Sequence, residues 1–386
     1  MLALGLGLGV PPVLAADYQI ATVMTGLVAP RGLGFTPDGA LYVTEAGRGG
    51  NGPSLISGNG ATSYFGYSGG VSRLFGGVQT RVLSGLPSLA ALDGTDAAGL
   101  QDIVFGSGGQ AWGLFGLGSS PARRDSLGAF GASFLGTVSS LSLNGAGTVT
   151  SVADISRFEG TNNPDGGTVD SNPYGFARTA GGSFIIADAG GNSFLQATAA
   201  GSVSALGVLA AQPNPLPFGP PTVQSVPTSI AIGPDGSYFI GQLTGFPFPA
   251  GSASVFRYDP STATTSVAYG GFTNIIDLEF DSAGNLYVLQ LTSNGLASPS
   301  GPGSGVLLKI DRLTGVRTTI ASDGLQFPGG LAIQNGPGGA VFYVSNHTNV
   351  PLGGEVLRIS AVPEPGSLVL LFCGSLVVIA LAKRNA

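Results

Sequence analysis

Pro227-Thr228-Ser229-Ile230-Ala231-Ile232-Gly233-Pro234-Asp235-Gly236-Ser237-Tyr238-Phe239-Ile240 is the stretch on which the fold turns. A proline-led polar start runs into an apolar strand, Asp235-Gly236 turns the chain, and a strand of aromatic and β-branched residues returns. Asp-Gly suits a tight hairpin because glycine accepts the positive φ that the turn requires. The pattern recurs along the chain. Residues 30–43 carry it with Asp38-Gly39 at the tip, and residues 276–288 carry it with Ala283-Gly284. Residues 100–105 followed by Gly108-Gly109, residues 172–187 around Gly181-Gly182, and residues 327–344 make six repeats in all.

Most of these hairpins lead into a third strand with a basic residue near its end. Examples are Val71-Ser72-Arg73-Leu74, Val255-Phe256-Arg257-Tyr258, Leu307-Leu308-Lys309-Ile310 and Val356-Leu357-Arg358-Ile359. A fourth strand follows, as in Thr80-Arg81-Val82-Leu83 and Val316-Arg317-Thr318-Thr319-Ile320. Four antiparallel strands per repeat, the first apolar and glycine-rich, form the blade of a β-propeller, whose inner strand packs beside a central channel. The expected fold class is therefore all-β, a six-bladed β-propeller. The sixth repeat supplies three strands before the chain leaves the pattern, and an unpaired strand, residues 18–23, precedes the first. That N-terminal strand is expected to close the last blade and remove the open edge. Each blade then averages about 58 residues, above the roughly 40–50 of common propeller repeats. Loops at 46–69, 118–132, 212–221 and 293–305, rich in Gly, Pro, Ser or Asn, are expected to absorb the excess.

Composition narrows the function classes. Glycine contributes 66 of 386 residues and charged residues only 9%, which disfavours long helices, while 43% hydrophobic residues disfavours disorder. Fifteen Lys and Arg against 21 Asp and Glu leave a net charge of −6, with no basic footprint for nucleic acid. The single cysteine, Cys373, excludes an intramolecular disulfide.

The two ends read as targeting segments. Residues 2–14 are apolar and Val13-Leu14-Ala15 offers the small residues that signal peptidase needs, so residues 1–16 read as a signal peptide, although a positively charged n-region is missing. At the other end Val362-Pro363-Glu364-Pro365-Gly366 precedes an apolar run, residues 367–382, and then Lys383-Arg384. The prolines fix an extended stretch that suits an enzyme groove. The apolar run would rise about 24 Å as a helix, just short of a full membrane span. Its basic end would stay on the cytoplasmic side. Together these parts resemble the PEP-CTERM sorting signal of Gram-negative bacteria, which an exosortase is thought to cut near the Pro-Glu-Pro; a plain tail anchor is the simpler alternative. The domain plan is thus 1–16 signal peptide, 17–361 propeller, 362–386 sorting signal with a transmembrane helix.

Four segments of the folded part resemble the ScyD/ScyE family: residues 25–33, Tyr42-Val43-Thr44-Glu45-Ala46-Gly47, residues 154–159, and Asp170-Ser171-Asn172-Pro173-Tyr174-Gly175. The resemblance spans residues 20–359. It implies an exported NHL-like propeller of the NHL/SMP-30 kind, first noted in the gene cluster for the pigment scytonemin, and no particular chemistry. The tail points instead to the cell envelope or exopolysaccharide, with an exosortase, the inner membrane, and a glycan or envelope protein as partners.

Chemistry inside the domain is sparse. His347 is the single histidine, and neither a G-x-S-x-G elbow nor an H-E-x-x-H pattern accompanies it, so it reads as a loop residue. Gly106-Ser107-Gly108-Gly109 sits in a hairpin, where it makes no nucleotide loop. Trp112 reads as outer-blade packing. The remaining constellation lies where the inner strands begin: Arg31, Gln101, Asp102, Asn172, Tyr174, Thr228, Asn274, Asp277 and Glu279 would ring one mouth of the channel. Among them Asp102, Asn172 and Asp277 could hold Ca2+ or another hard divalent ion, although Asp and Asn in such positions commonly cap their own turns. Two functions follow. One is a non-catalytic binding or scaffold protein of the envelope; the other is a metal-dependent lactonase or isomerase at the channel mouth, with Asp277 moving the proton.

Overall fold

The computed structural model describes residues 18–143, 147–336 and 339–362. Its strands form six antiparallel blades, five of them four-stranded and the first carrying a short fifth strand. The inner strands, in order, are Pro30–Phe35, Leu100–Phe105, Pro173–Arg178, Pro227–Ile232, Ile275–Phe280 and Gly330–Gly336. Each pairs with a second strand: Leu41–Glu45, Ala111–Phe115, Phe184–Asp188, Tyr238–Gln242, Leu286–Gln290 and Gly339–Asn346 respectively. The inner strands touch their neighbours in a closed circle, blade six against blade one included.

Closure occurs as the unpaired N-terminal strand led us to expect. Tyr18–Leu27 is the outer strand of blade six and pairs antiparallel with Gly354–Ala361, from Tyr18 opposite Ala361 to Leu27 opposite Gly354. It runs four residues further than the alternation suggested, because Met24 and Leu27, each 1% exposed, enter the core between blades six and one. Six such apolar clusters exist, one at each blade-to-blade junction. The hydrophobic stabilisation therefore lies between sheets, and a blade removed from the circle would expose two apolar faces.

The expected loops are partly structured. Ser54–Ile56 pairs with the long strand Thr62–Phe75, so residues 46–69 are not a loop throughout. Within 118–132 lies the helix Pro121–Ser126, and residues 212–213 pair with 222–223. A second helix, Ile155–Asn162, starts where the Asp154 carboxylate accepts the Arg157 amide. Arg124, almost fully buried, reaches from the first helix to Asp154 at 2.9 Å and ties the two together. Trp112 is not on an outer strand. It stands on the second strand of blade two, against the ring of Phe184 in blade three and beneath the Arg178 guanidinium at 4.5 Å.

The signal-peptide segment and Pro363, Glu364, Pro365 with the apolar run beyond them lie outside the described residues. Among the described residues no helix is long and apolar enough to cross a membrane. Val362 is exposed just past the last strand.

Candidate functional site: the axial channel

The pairing registers stack equivalent residues of the inner strands into layers. Asp102, Gly175, Ser229, Asp277 and Gly330 stand opposite Leu114, Ala187, Gly241, Leu289 and Ser345, and Gly32 completes this first layer in blade one. The next layer, two residues on, is Gly34, Val104, Ala177, Ala231, Glu279 and Ala332. The small residues are sterically required in the first layer. A Cβ on Gly32 would lie 2.8 Å from the Asp102 Cα, and one on Gly330 would lie 2.6 Å from the Arg31 carbonyl oxygen.

Blades two and five, opposite each other in the circle, carry the acids of that layer. In both, the strand slips register just before the aspartate. Asp102 accepts the Ile103 amide at 2.8 Å with Oδ1 and the Phe176 amide of blade three at 3.1 Å with Oδ2. Asp277 repeats the arrangement, accepting Leu278 at 2.8 Å and Leu331 of blade six at 2.7 Å. Each carboxylate thus closes a bulge and joins its blade to the next.

Burial nevertheless dominates their titration. It pushes Asp277 up to about 7 against the two amides that hold the charged form. Burial, followed by the charge of Asp277, raises Asp102 well above the carboxylate range, and Glu279 adds to this. Glu279 is pushed up to about 8, first by burial and then by Asp277. Unlike the two aspartates, Glu279 makes no hydrogen bond or ion pair with the described residues. It borders a cavity of about 390 Å³ formed by the later halves of five inner strands and rimmed by Phe35, Phe105, Phe280 and Arg178.

Of the residues expected at the mouth, the structure therefore brings Asp102, Asp277 and Glu279 together on the axis. Gln101 is buried with its side-chain oxygen unpartnered, and Arg31, Asn172, Thr228 and Asn274 are engaged elsewhere. Arg31 donates to the Ala97 carbonyl at 3.0 Å, in the loop before blade two. Asn172 accepts the Leu117 amide at 3.2 Å and donates its own amide to Asp188 at 2.6 Å. Thr228 donates to the Ile275 carbonyl at 2.7 Å, and Asn274 is buried between Leu243, Thr292 and Leu296. Tyr174, on the inner strand of blade three, reaches across the channel to the apolar cluster of blades five and six that contains Ile276 and Leu331. Among the described residues no group of three or more His, Cys, Asp or Glu is arranged to hold a metal ion, and Asn172 has its side-chain oxygen on a backbone amide. His347 lies 3.6 Å from Glu355.

Sequence reasoning missed a second repeated polar position. The second strands of blades one, three, four, five and six end in Glu45, Asp188, Gln242, Gln290 and Asn346, all buried. Four of these accept an amide from the segment leading into their own inner strand: Val28 at 2.8 Å, Asn172 at 2.6 Å, Thr273 at 2.8 Å and Gln326 at 2.7 Å. Gln242 donates instead to the Ser225 hydroxyl in the equivalent segment. Aligning the repeats on their second strands would have exposed this column. Glu159 was also overlooked as a site residue; fully buried with neither oxygen partnered, it is pushed up to about 7 by burial and by Asp188, Asp165 and Asp170.

No protein-family model matches the chain, and no curated protein matches it in sequence. Solved structures match it in shape. A luciferin-regenerating enzyme is 10% identical with a TM-score of 0.51, the match covering 90% of this chain and 96% of that one. An oxidoreductase of glucose-dehydrogenase type from Thermus thermophilus is 16% identical with a TM-score of 0.50, over 89% of this chain and 100% of the other. A protein assigned to the gluconolactonases is 12% identical at a TM-score of 0.50, over 91% and 96% of the two chains. The fold shared with these structures is the six-bladed β-propeller. At these identities the likeness establishes the fold and leaves the chemistry to this chain's own residues.

Proposed function

We propose that the protein is an exported, non-catalytic binding propeller of a Gram-negative cell envelope, ScyD/ScyE-like in kind, whose channel takes up a small ligand. One observation carries this reading. The two aspartates that would do acid–base or metal chemistry are engaged with backbone amides of neighbouring blades, whereas Glu279 stands unpartnered at an open cavity. That arrangement offers a seat with one polar contact and no second group poised for proton transfer. Two hollows of about 450 Å³ each, sharing Arg48, Tyr67 and Ser68, give a glycan or envelope protein a separate place to dock.

Export and sorting belong to the same reading. The signal peptide delivers the chain across the inner membrane, where the apolar run of the tail anchors it transiently. Exosortase then cuts near Pro363-Glu364-Pro365 and frees the propeller into the periplasm, cell surface or exopolysaccharide matrix. The exposed Val362 at the end of the domain supports access to that motif. The test is mass spectrometry of the protein recovered from an exosortase-bearing host. A C-terminus near the Pro-Glu-Pro and unaltered small molecules released from the propeller support the reading. Full-length protein in the inner membrane sinks the sorting part, and turnover of a released molecule by the pure protein sinks the non-catalytic part.

A further inference from the structure

Glu279 sits in a layer whose other five members, Gly34, Val104, Ala177, Ala231 and Ala332, present at most three side-chain carbons each. Five small residues around one carboxyl group leave room beside it that the protein does not fill. The cavity of about 390 Å³ is at the small end of the range of about 300–1,000 Å³ for ligand sites. The charged and titratable groups facing Glu279 are few. Asp277 and Asp102 lie one layer away and raise its proton affinity or have theirs raised by it. Tyr287, opposite Glu279 in register, has its hydroxyl on Asp281. Arg178 lines the same cavity but stacks on Trp112, and its Nε–H is buried without a partner. A carboxyl group that no cation compensates in such surroundings keeps its proton and can donate it in a hydrogen bond.

Resting on the ligand-binding reading above, we infer that the channel receives a compact neutral molecule through one oxygen acceptor, with Glu279 as the hydrogen-bond donor. An anionic ligand would meet a negative charge on the axis once Asp277 ionises, near 7. A cationic one would meet the Arg178 guanidinium in the cavity wall. A neutral ketone or ether oxygen satisfies the donor at no charge cost.

The probes are camphor, its hydrocarbon counterpart bornane, and bornylamine. They would be titrated calorimetrically into residues 17–361, which contain all six blades and both closing strands. Camphor should bind at pH 6.5 at least tenfold more tightly than bornane. Its affinity should fall roughly thirtyfold by pH 9.5, because a group titrating near 8 is then only ~3% protonated. Glu279→Gln, which keeps a donor, should bind camphor equally at both pH values, and Glu279→Ala should bind camphor no better than bornane. Camphor and bornane binding alike, or camphor binding that ignores pH in the parent, overturns the acceptor inference while leaving the channel a ligand site. Tighter binding of bornylamine with proton release overturns it in favour of a cation. Failure of all three probes to bind refutes the ligand-binding reading itself.

Discussion

Raising the pH from 5 to 9 should weaken this fold, and Glu279→Gln should return a defined part of the loss. The folded protein holds protons on Glu279 up to about 8 and on Asp277 up to about 7. The unfolded chain releases them near the ordinary values of 4.5 and 3.8. Between those limits the native state binds more protons than the unfolded state, so stability falls as pH rises. The contribution is fully present below about 4 and lost as the pH passes through 7 to 8. For Glu279 the gap corresponds to at most about 5 kcal/mol, and water entering through the open mouth reduces it to about 2–4 kcal/mol.

The assay is urea unfolding of parent and Glu279→Gln at pH 5, 7 and 9. At pH 5 both folded side chains are neutral and of one shape, and ionisation of Glu279 in the unfolded parent should leave the variant ahead by less than about 1 kcal/mol. At pH 9 the variant should be more stable by about 2–4 kcal/mol, since it never ionises beside Asp277. Glu159 and Asp188 titrate in the same interval, pushed up to about 7 and about 6. The loss in the parent alone is therefore not diagnostic, and the difference between the two proteins is. A difference below about 0.5 kcal/mol at pH 9, or one that is constant across the three pH values, refutes an uncompensated acid on the axis.

Deleting residues 17–23 should leave Leu357–Ala361 as an open sheet edge, lower the melting temperature and drive self-association, read by light scattering; a deletion variant as stable and monomeric as the parent would refute closure by this strand. Gly32→Ala places a methyl group 2.8 Å from the Asp102 Cα and should cost about 1–3 kcal/mol in denaturant unfolding, whereas an unchanged midpoint would show that blades one and two can separate without cost.

The fold was legible because propeller blades repeat a local signal. Asp38-Gly39 and Asp235-Gly236 stand at hairpin tips with the glycines at φ 84° and 81°, and each turn fixes the register of the strands beside it. The missing fourth strand of the last repeat and the spare strand at the beginning required each other. What local pattern could not convey was the content of the long connections. The helix Ile155–Asn162 is eight residues of mostly weak helix formers, held by its Asp154 cap and by the Arg124–Asp154 ion pair, and that partner comes from 30 residues away.

The candidate site was legible in its membership and not in its roles. Asp102, Asp277 and Glu279 announce themselves as acids near the starts of apolar strands, and any reading that places those strands around a channel will gather them there. Whether such an acid is free depends on groups that the local sequence does not name. Asp102 is engaged because a bulge one residue earlier turns its carboxylate toward the amide of Phe176, 74 residues further on. Asn172 leaves the set because Leu117 presents an amide to it across the blade-two loop. Glu279 stays free for the opposite reason: the residues level with it on the other five blades are too small to reach it, and none of them can donate a side-chain hydrogen bond. Its isolation is a property of one layer, assembled from six positions between 34 and 332 in the chain, and it becomes visible only when six registers are superposed. The same superposition shows why the site is asymmetric. Five blades carry the small residues that close packing at the axis favours, and the remaining one carries an acid, at a cost in stability above neutral pH.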